Sequence, residues 1–169
     1  ALGWGAIAAV ALAVGVDAVL RLALGPANDP VASAFGSVVQ APIVEEIGKG
    51  LGVLLILAIG RRFFDGPVDG VVYGAMVGAG FAFTENIQYF AISLIEGGGE
   101  QLSVTFVVRA LLSPFAHAMF TSLTGLAIGL AARRHSSAWA ALGAGLLGLL
   151  GAVLLHALWN GSATYADFF

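Results

Sequence analysis

Residues 31–60 read VASAFGSVVQ APIVEEIGKG LGVLLILAIG, a stretch in which Glu45, Glu46 and Lys49 are the only ionisable side chains. A helix needs about 20 apolar residues to cross the hydrocarbon core of a bilayer, and this run exceeds that. It shows no apolar/polar alternation, and a barrel strand needs only about ten residues, so a strand is the poorer reading. Four further runs of the same character flank it: Leu2–Leu24, Val68–Ile95, Leu102–Ala132 and Ala138–Trp159. The expected fold is therefore all-α, a polytopic transmembrane bundle of about five membrane-spanning helices. With no composition shift, low-complexity tail or internal repeat, residues 1–169 read as a single integral-membrane domain.

The breaks between runs carry turn chemistry. Gly25-Pro26-Ala27-Asn28-Asp29-Pro30 ends the first, Asp65-Gly66-Pro67 precedes the third, and Glu96-Gly97-Gly98-Gly99-Glu100 separates the third from the fourth. The first run is too long for a signal peptide and lacks the basic start and cleavage site of one. A start at Ala1 rather than Met is what the core of a longer chain would show.

Composition agrees. The chain is 59% hydrophobic and only 10% charged, with a mean hydropathy of +0.96. A soluble domain carries about 25% charged residues, most of them on its surface. Lipid makes no such demand, so the bilayer is the expected surroundings. A net charge of −3 without any basic stripe excludes nucleic acid as a partner. The absence of cysteine excludes disulfides, Cys-bound metal and a thiol nucleophile.

Arg61-Arg62 follows the second run and Arg133-Arg134-His135 the fourth, so both loops belong on one side, which the positive-inside rule makes cytoplasmic. The expectation is a multi-pass cell-membrane protein with its N-terminus cytoplasmic and Tyr165-Ala166-Asp167-Phe168-Phe169 outside. The 24 glycines include the small-xxx-small steps Gly48/Gly52, Gly74/Gly78 and Gly125/Gly129, which let helix backbones approach closely. Packing accounts for them.

Ionisable residues inside a membrane helix need a reason, because each costs a few kcal/mol, about 3 on the insertion scale. Counted from each helix's cytoplasmic end at 1.5 Å per residue, Glu45 lies about 24 Å from Arg61, Glu85 about 25 Å from Val68, His117 about 24 Å from Arg133, and His156 about 27 Å from Ala138. Four helices thus place carboxylate or imidazole at one depth, in the outer half of the bilayer. Two histidines with a carboxylate suit Zn²⁺ plus a water, and a further carboxylate can take that water's proton. Without metal, a glutamate activates water directly and His117, His156 and Asn160 donate to the oxyanion. Residue types alone leave both schemes open.

Glu45-Glu46-Ile47-Gly48-Lys49 (EExxK), Phe81-Ala82-Phe83-Thr84-Glu85 (FxxxE), His117 and His156-Ala157-Leu158-Trp159-Asn160 (HxxxN) follow one another on successive helices. In these motifs the chain resembles the PrsW family of intramembrane proteases, over roughly Ala41 to Asn160, and more distantly the type II CAAX prenyl endopeptidases. Glu85 stands where the CAAX pattern has a histidine, which favours the PrsW branch. The resemblance implies endoproteolysis of a membrane-protein substrate near the outer leaflet, with the first cut in a transmembrane anti-sigma factor as the archetype. It also implies a metalloprotease, although the CAAX relatives are argued to be metal-free glutamate enzymes.

The expected roles are Glu45 as general base with Glu46 next in line, and Glu85, His117 and His156 as ligands of Zn²⁺. Asn160 is an oxyanion donor or a helix cap. Lys49, at i+4 from Glu45 and i+3 from Glu46, holds one carboxylate while the other works. Asn86 and Tyr89 support Glu85. Arg109 is expected to snorkel to the interface, Asp17 and Arg21 to pair at i,i+4, Asp65 and Asp69 to sit at a helix start, and His135 to lie in an exposed loop. The rival class is a proton- or ion-coupled transporter using a Glu/His relay. Broken helices and internal repeats would favour it, and the sequence shows neither.

Overall fold

The computed structural model describes residues 1–25, 29–133 and 138–165. His135, Pro26 to Asn28 and the Ala166–Phe169 tail lie outside the described residues. The chain opens with a π-helical turn, Trp4–Ala9, that runs into α1 (Val10–Leu24). Then come α2 (Pro30–Phe35), a π turn over Gly36–Gln40, α3 (Ala41–Ile59), and a 3₁₀ turn at Arg61–Phe63. Helix α4 (Pro67–Phe106), a π turn at Val107–Leu112, α5 (Ala116–Arg133) and α6 (Ala138–Tyr165) complete it. Among the described residues there is no strand. On length and apolarity alone, Trp4–Leu24, Pro67–Arg133 and Leu142–Thr164 qualify as membrane spans. The second of these contains the antiparallel pair α4 and α5, and Pro30–Ile59 is a further long helical body that carries the three charges of α3. The protein is thus an all-α membrane bundle of about five crossings. Leu22, Leu112, Leu147 and Leu158 stand exposed around it, which water would penalise as a continuous patch and lipid does not.

The turn expected between the third and fourth runs falls at Gly98, whose φ of 68° and ψ of −157° interrupt α4. In a straight helix residues 93 and 105 would stand about 18 Å apart. Instead their hydroxyls are 2.8 Å apart, and the Phe90 and Phe106 rings meet at 5.7 Å. The chain folds back on itself here, and glycine is the residue that adopts this positive φ without a Cβ penalty. The returning arm corrects the reading of Leu102–Ala132 as one helix. Pro114, which lacks an N–H, lies in a break between Leu112 and Ala116. The rival transport reading asked for such a broken helix, and one is present.

Helices α4 and α5 meet along glycine. A methyl at Gly70 would strike the Gly125 carbonyl, one at Gly74 the Thr121 carbonyl, and one at Gly78 the His117 carbonyl. This stripe sets the two helices in register and carries His117 alongside Gly78. The start of the chain packs as tightly. Trp4 donates Nε1–H to the Gly48 carbonyl at 2.9 Å, Thr84 donates its hydroxyl to the Ala6 carbonyl at 2.8 Å, and Gly5 and Gly80 leave no room for a Cβ. Beyond Ala9 the intimacy ends: no residue of α1 is buried, and the expected Arg21–Asp17 pair (2.6 Å) sits exposed on it. The other expected pair, Asp65 and Asp69, brackets the start of α4, where the Asp65 N–H donates to the Asp69 carboxylate at 3.1 Å.

Candidate active site

Helix α3 turns Glu45, Glu46 and Lys49 inward on one face, and all three are buried. Glu46 and Lys49 are wholly enclosed, whereas the Glu45 side chain keeps 11% exposure. The difference follows from partners. Glu46 receives the Lys49 ammonium at 2.6 Å, the Thr121 hydroxyl at 3.1 Å and His156 Nδ1 at 3.0 Å. Glu45 meets Lys49 at 3.5 Å through Oε2, and its Oε1 takes part in no hydrogen bond among the described residues. Lys49 thus contacts both carboxylates, Glu46 closely and Glu45 at longer range. The ammonium also lies 4.2 Å above the Phe81 ring, which gives the first residue of FxxxE a cation–π role.

Glu85 reaches the same centre from α4. Its Oε2 stands 2.9 Å from His117 Nε2 and is paired with the Arg109 guanidinium. Arg109 does not snorkel. The hairpin at Gly98 folds the returning arm against α4, so Arg109 donates Nε–H to Asn86 Oδ1 at 2.8 Å and stacks over Tyr89 at 3.9 Å, with a side chain only 14% exposed. Asn86 and Tyr89 therefore support Glu85 through Arg109. A strong charge neighbour of Glu85 was missed because a straight fourth helix would have carried it outward.

These bonds assign the imidazole protons. His117 accepts from the Lys49 ammonium at Nδ1 (3.1 Å), which leaves Nε2–H to donate to Glu85. His156 donates Nδ1–H to Glu46, so its Nε2 carries a lone pair, 3.9 Å from Glu45 Oε2. Each histidine is thus backed by a carboxylate; the second nitrogen of His117 accepts from Lys49, and that of His156 makes no hydrogen bond among the described residues. The rings meet edge to face at 4.9 Å, and Phe120 stacks on His156. Carboxylate-backed imidazole is the usual way a protein orients a metal-ligating histidine.

Glu45, His117 and His156 each offer a ligand atom within 4.8 Å of the other two. Glu85, expected among the ligands, stands instead behind His117, between that ring and Arg109. Two imidazoles and one carboxylate fit a divalent metal such as Zn²⁺ in donor chemistry. The Lys49 ammonium shares the enclosure, with its shortest contact to Glu46 rather than to these three donors.

A polar cavity of about 70 Å³ adjoins the cluster, bounded by Glu45, Glu85, His117, His156 and Arg109. One water needs only about 10–15 Å³ on the same measure, so the cavity has room for more than one beside Glu45. Asn160 lies at its edge, donating Nδ2–H to the Ser37 carbonyl in the π turn before α3 at 2.9 Å. That bond ties α6 to α3, and the amide proton it uses is turned away from the cluster.

The chain as a whole is similar to known proteins. A family model described as PrsW family intramembrane metalloprotease matches residues 1–169. Protease PrsW of Geobacillus kaustophilus (strain HTA426) is 35% identical over 105 residues, 62% of this chain and 41% of that protein. Protease PrsW of Bacillus subtilis (strain 168) is 38% identical over 97 residues, 57% of this chain and 40% of that protein. The matched region thus spans about two fifths of each curated relative's length. No solved structure matches the chain.

Proposed function

The chain belongs to the PrsW family of intramembrane proteases, and on that footing we propose that it hydrolyses peptide bonds of membrane-spanning proteins, with Glu45 as the carboxylate that meets the attacking water. The observation that carries this reading is the convergence of Glu45, His117 and His156, each with a ligand atom within 4.8 Å of the other two, beside a polar cavity. In the hydrolytic step, water oxygen bonds to the scissile carbonyl carbon and Glu45 Oε1 takes its proton. The proton then passes to the leaving nitrogen as the C–N bond breaks. Glu46 and Glu85 fix the ring orientations of His156 and His117, Arg109 holds Glu85, and Lys49 offsets the carboxylate charge.

Two imidazoles and a carboxylate within reach of one another suit metal ligation in donor chemistry, which supports the metalloprotease form, with Lys49 releasing His117 Nδ1 where the metal binds that nitrogen. Zn²⁺ held by His117, His156 and one oxygen of Glu45 would acidify the water and polarise the carbonyl, leaving the second Glu45 oxygen as the base. The expected result is about one zinc per purified chain, lost together with activity in His117→Ala and His156→Ala. Full cleavage by metal-free protein, with a chelator shown to reach the site, would return the mechanism to glutamate alone. Of possible substrates, a single-pass anti-sigma factor is the one the family resemblance suggests.

The loop charges support an orientation with the Arg61-Arg62 turn cytoplasmic and the Gly98 hairpin outside. Since the chain has no cysteine, Glu100→Cys should react with a membrane-impermeant thiol reagent on intact cells and Phe63→Cys should not. Labelling of both from one side would overturn that orientation.

A further inference from the structure

The π turn Trp4–Ala9 is locked between α3 and α4, yet α1 leaves them immediately afterwards. The divergence opens a cleft of about 300 Å³ between Val10 and Val14 on one wall and Val44 and Ile92 on the other. Its inner end is bounded by Glu45 and Glu85, which also bound the polar cavity of the site. The cleft is therefore continuous with the reacting centre, and its other side is open between helices.

We propose that this cleft is the entry and binding groove for substrate: an extended stretch of a membrane-spanning peptide enters sideways between α1 and α4 and lays its scissile bond against Glu45. The inference rests on the proteolytic reading and adds the route and the conformation of the substrate. Walls of valine and isoleucine fit the aliphatic side chains of a chain arriving from lipid. A helix presents no open peptide bond to attack, so the substrate must unwind, and each N–H and C=O it frees in an apolar setting costs several kcal/mol, about 4 without a partner. Gln40 and Gln88 answer that need. Both line the cleft, neither side chain makes a hydrogen bond among the described residues, and a carboxamide both donates and accepts.

The test uses the full chain in liposomes with a single-pass peptide of leucine and alanine that carries one cysteine near its outer end. Single cysteines at Val14 and Ile92, in a Glu45→Gln background that leaves the peptide intact, should form disulfides with it. A cysteine at Leu147, exposed on α6, should not. In the otherwise native protein, Ala13→Trp should fill the cleft and slow cleavage at least tenfold, while Leu147→Trp leaves it unchanged. Equal cross-linking at position 147, or undiminished cleavage by folded Ala13→Trp, would overturn the proposal and leave the cleft to lipid chains. Cross-linking at position 14 without cleavage by the native chain would support the groove and remove the proteolytic reading instead.

Discussion

Glu45→Gln is expected to keep a folded bundle and to lose cleavage of a single-pass substrate by about 10²- to 10⁴-fold, the usual contribution of a positioned acid–base group. Glu45 is the carboxylate with an unoccupied oxygen on the cavity, and its bond to Lys49 is the longer of that lysine's two ion pairs. A carboxamide occupies the same space and cannot take a proton. Glu46→Gln should behave differently. Its charge is enclosed among Lys49, His156 and Thr121, and stripping a buried cation of its partner costs about 3–5 kcal/mol. A fall in thermal stability should therefore accompany any loss of activity. The check is unfolding in mild detergent alongside a cleavage assay. An active Glu45→Gln protein, or an inactive but fully stable Glu46→Gln protein, would reverse the two roles.

Gly70→Ala should weaken the bundle by about 1–3 kcal/mol, the range for forcing an extra methyl into a packed interface. The new methyl would sit on the Gly125 carbonyl, and the reciprocal Gly125→Ala would strike the Gly70 carbonyl, so neither helix can yield a side chain to make room. Gly143→Ala is the control. Nothing lies within 4 Å of a Cβ there, and alanine favours the helix by about 1 kcal/mol over glycine. Unfolding by denaturant in detergent should separate the two by sign. Equal stability of all three variants would mean that α4 and α5 do not pack through their backbones.

Much of this site was legible before any coordinates. Glu45, Glu85, His117 and His156 agree in depth when counted along their helices, and depth is a one-dimensional quantity that sequence supplies. The direction in which each side chain points is not. Glu45 and Glu46 lie about 100° apart on α3, and only the placement of α5 and α6 decides which is wrapped and which faces the cavity. For the same reason Glu85 read as a ligand, whereas it lies behind His117. Arg109 was lost to topology. Its partner Glu85 is 24 residues away, and they meet because the arm after the expected turn at Gly98 lies back against α4 and breaks before α5 instead of running on as one straight helix.

The ion pairs of α3 also bear on how the chain enters the membrane. Glu45, Glu46 and Lys49 would each add about 3 kcal/mol to the insertion of that segment if charged and alone. Spaced at i+3 and i+4, Lys49 can pair with either glutamate within a single turn before any other helix has arrived, which leaves one carboxylate to be protonated or to stay charged. Glu85 and Arg109 have no such option: each must wait in the translocon for the other, until the hairpin closes. An order of insertion follows from this, in which α3 can partition early with most of its charge paired, while the arm bearing Arg109 gains its partner only together with α4.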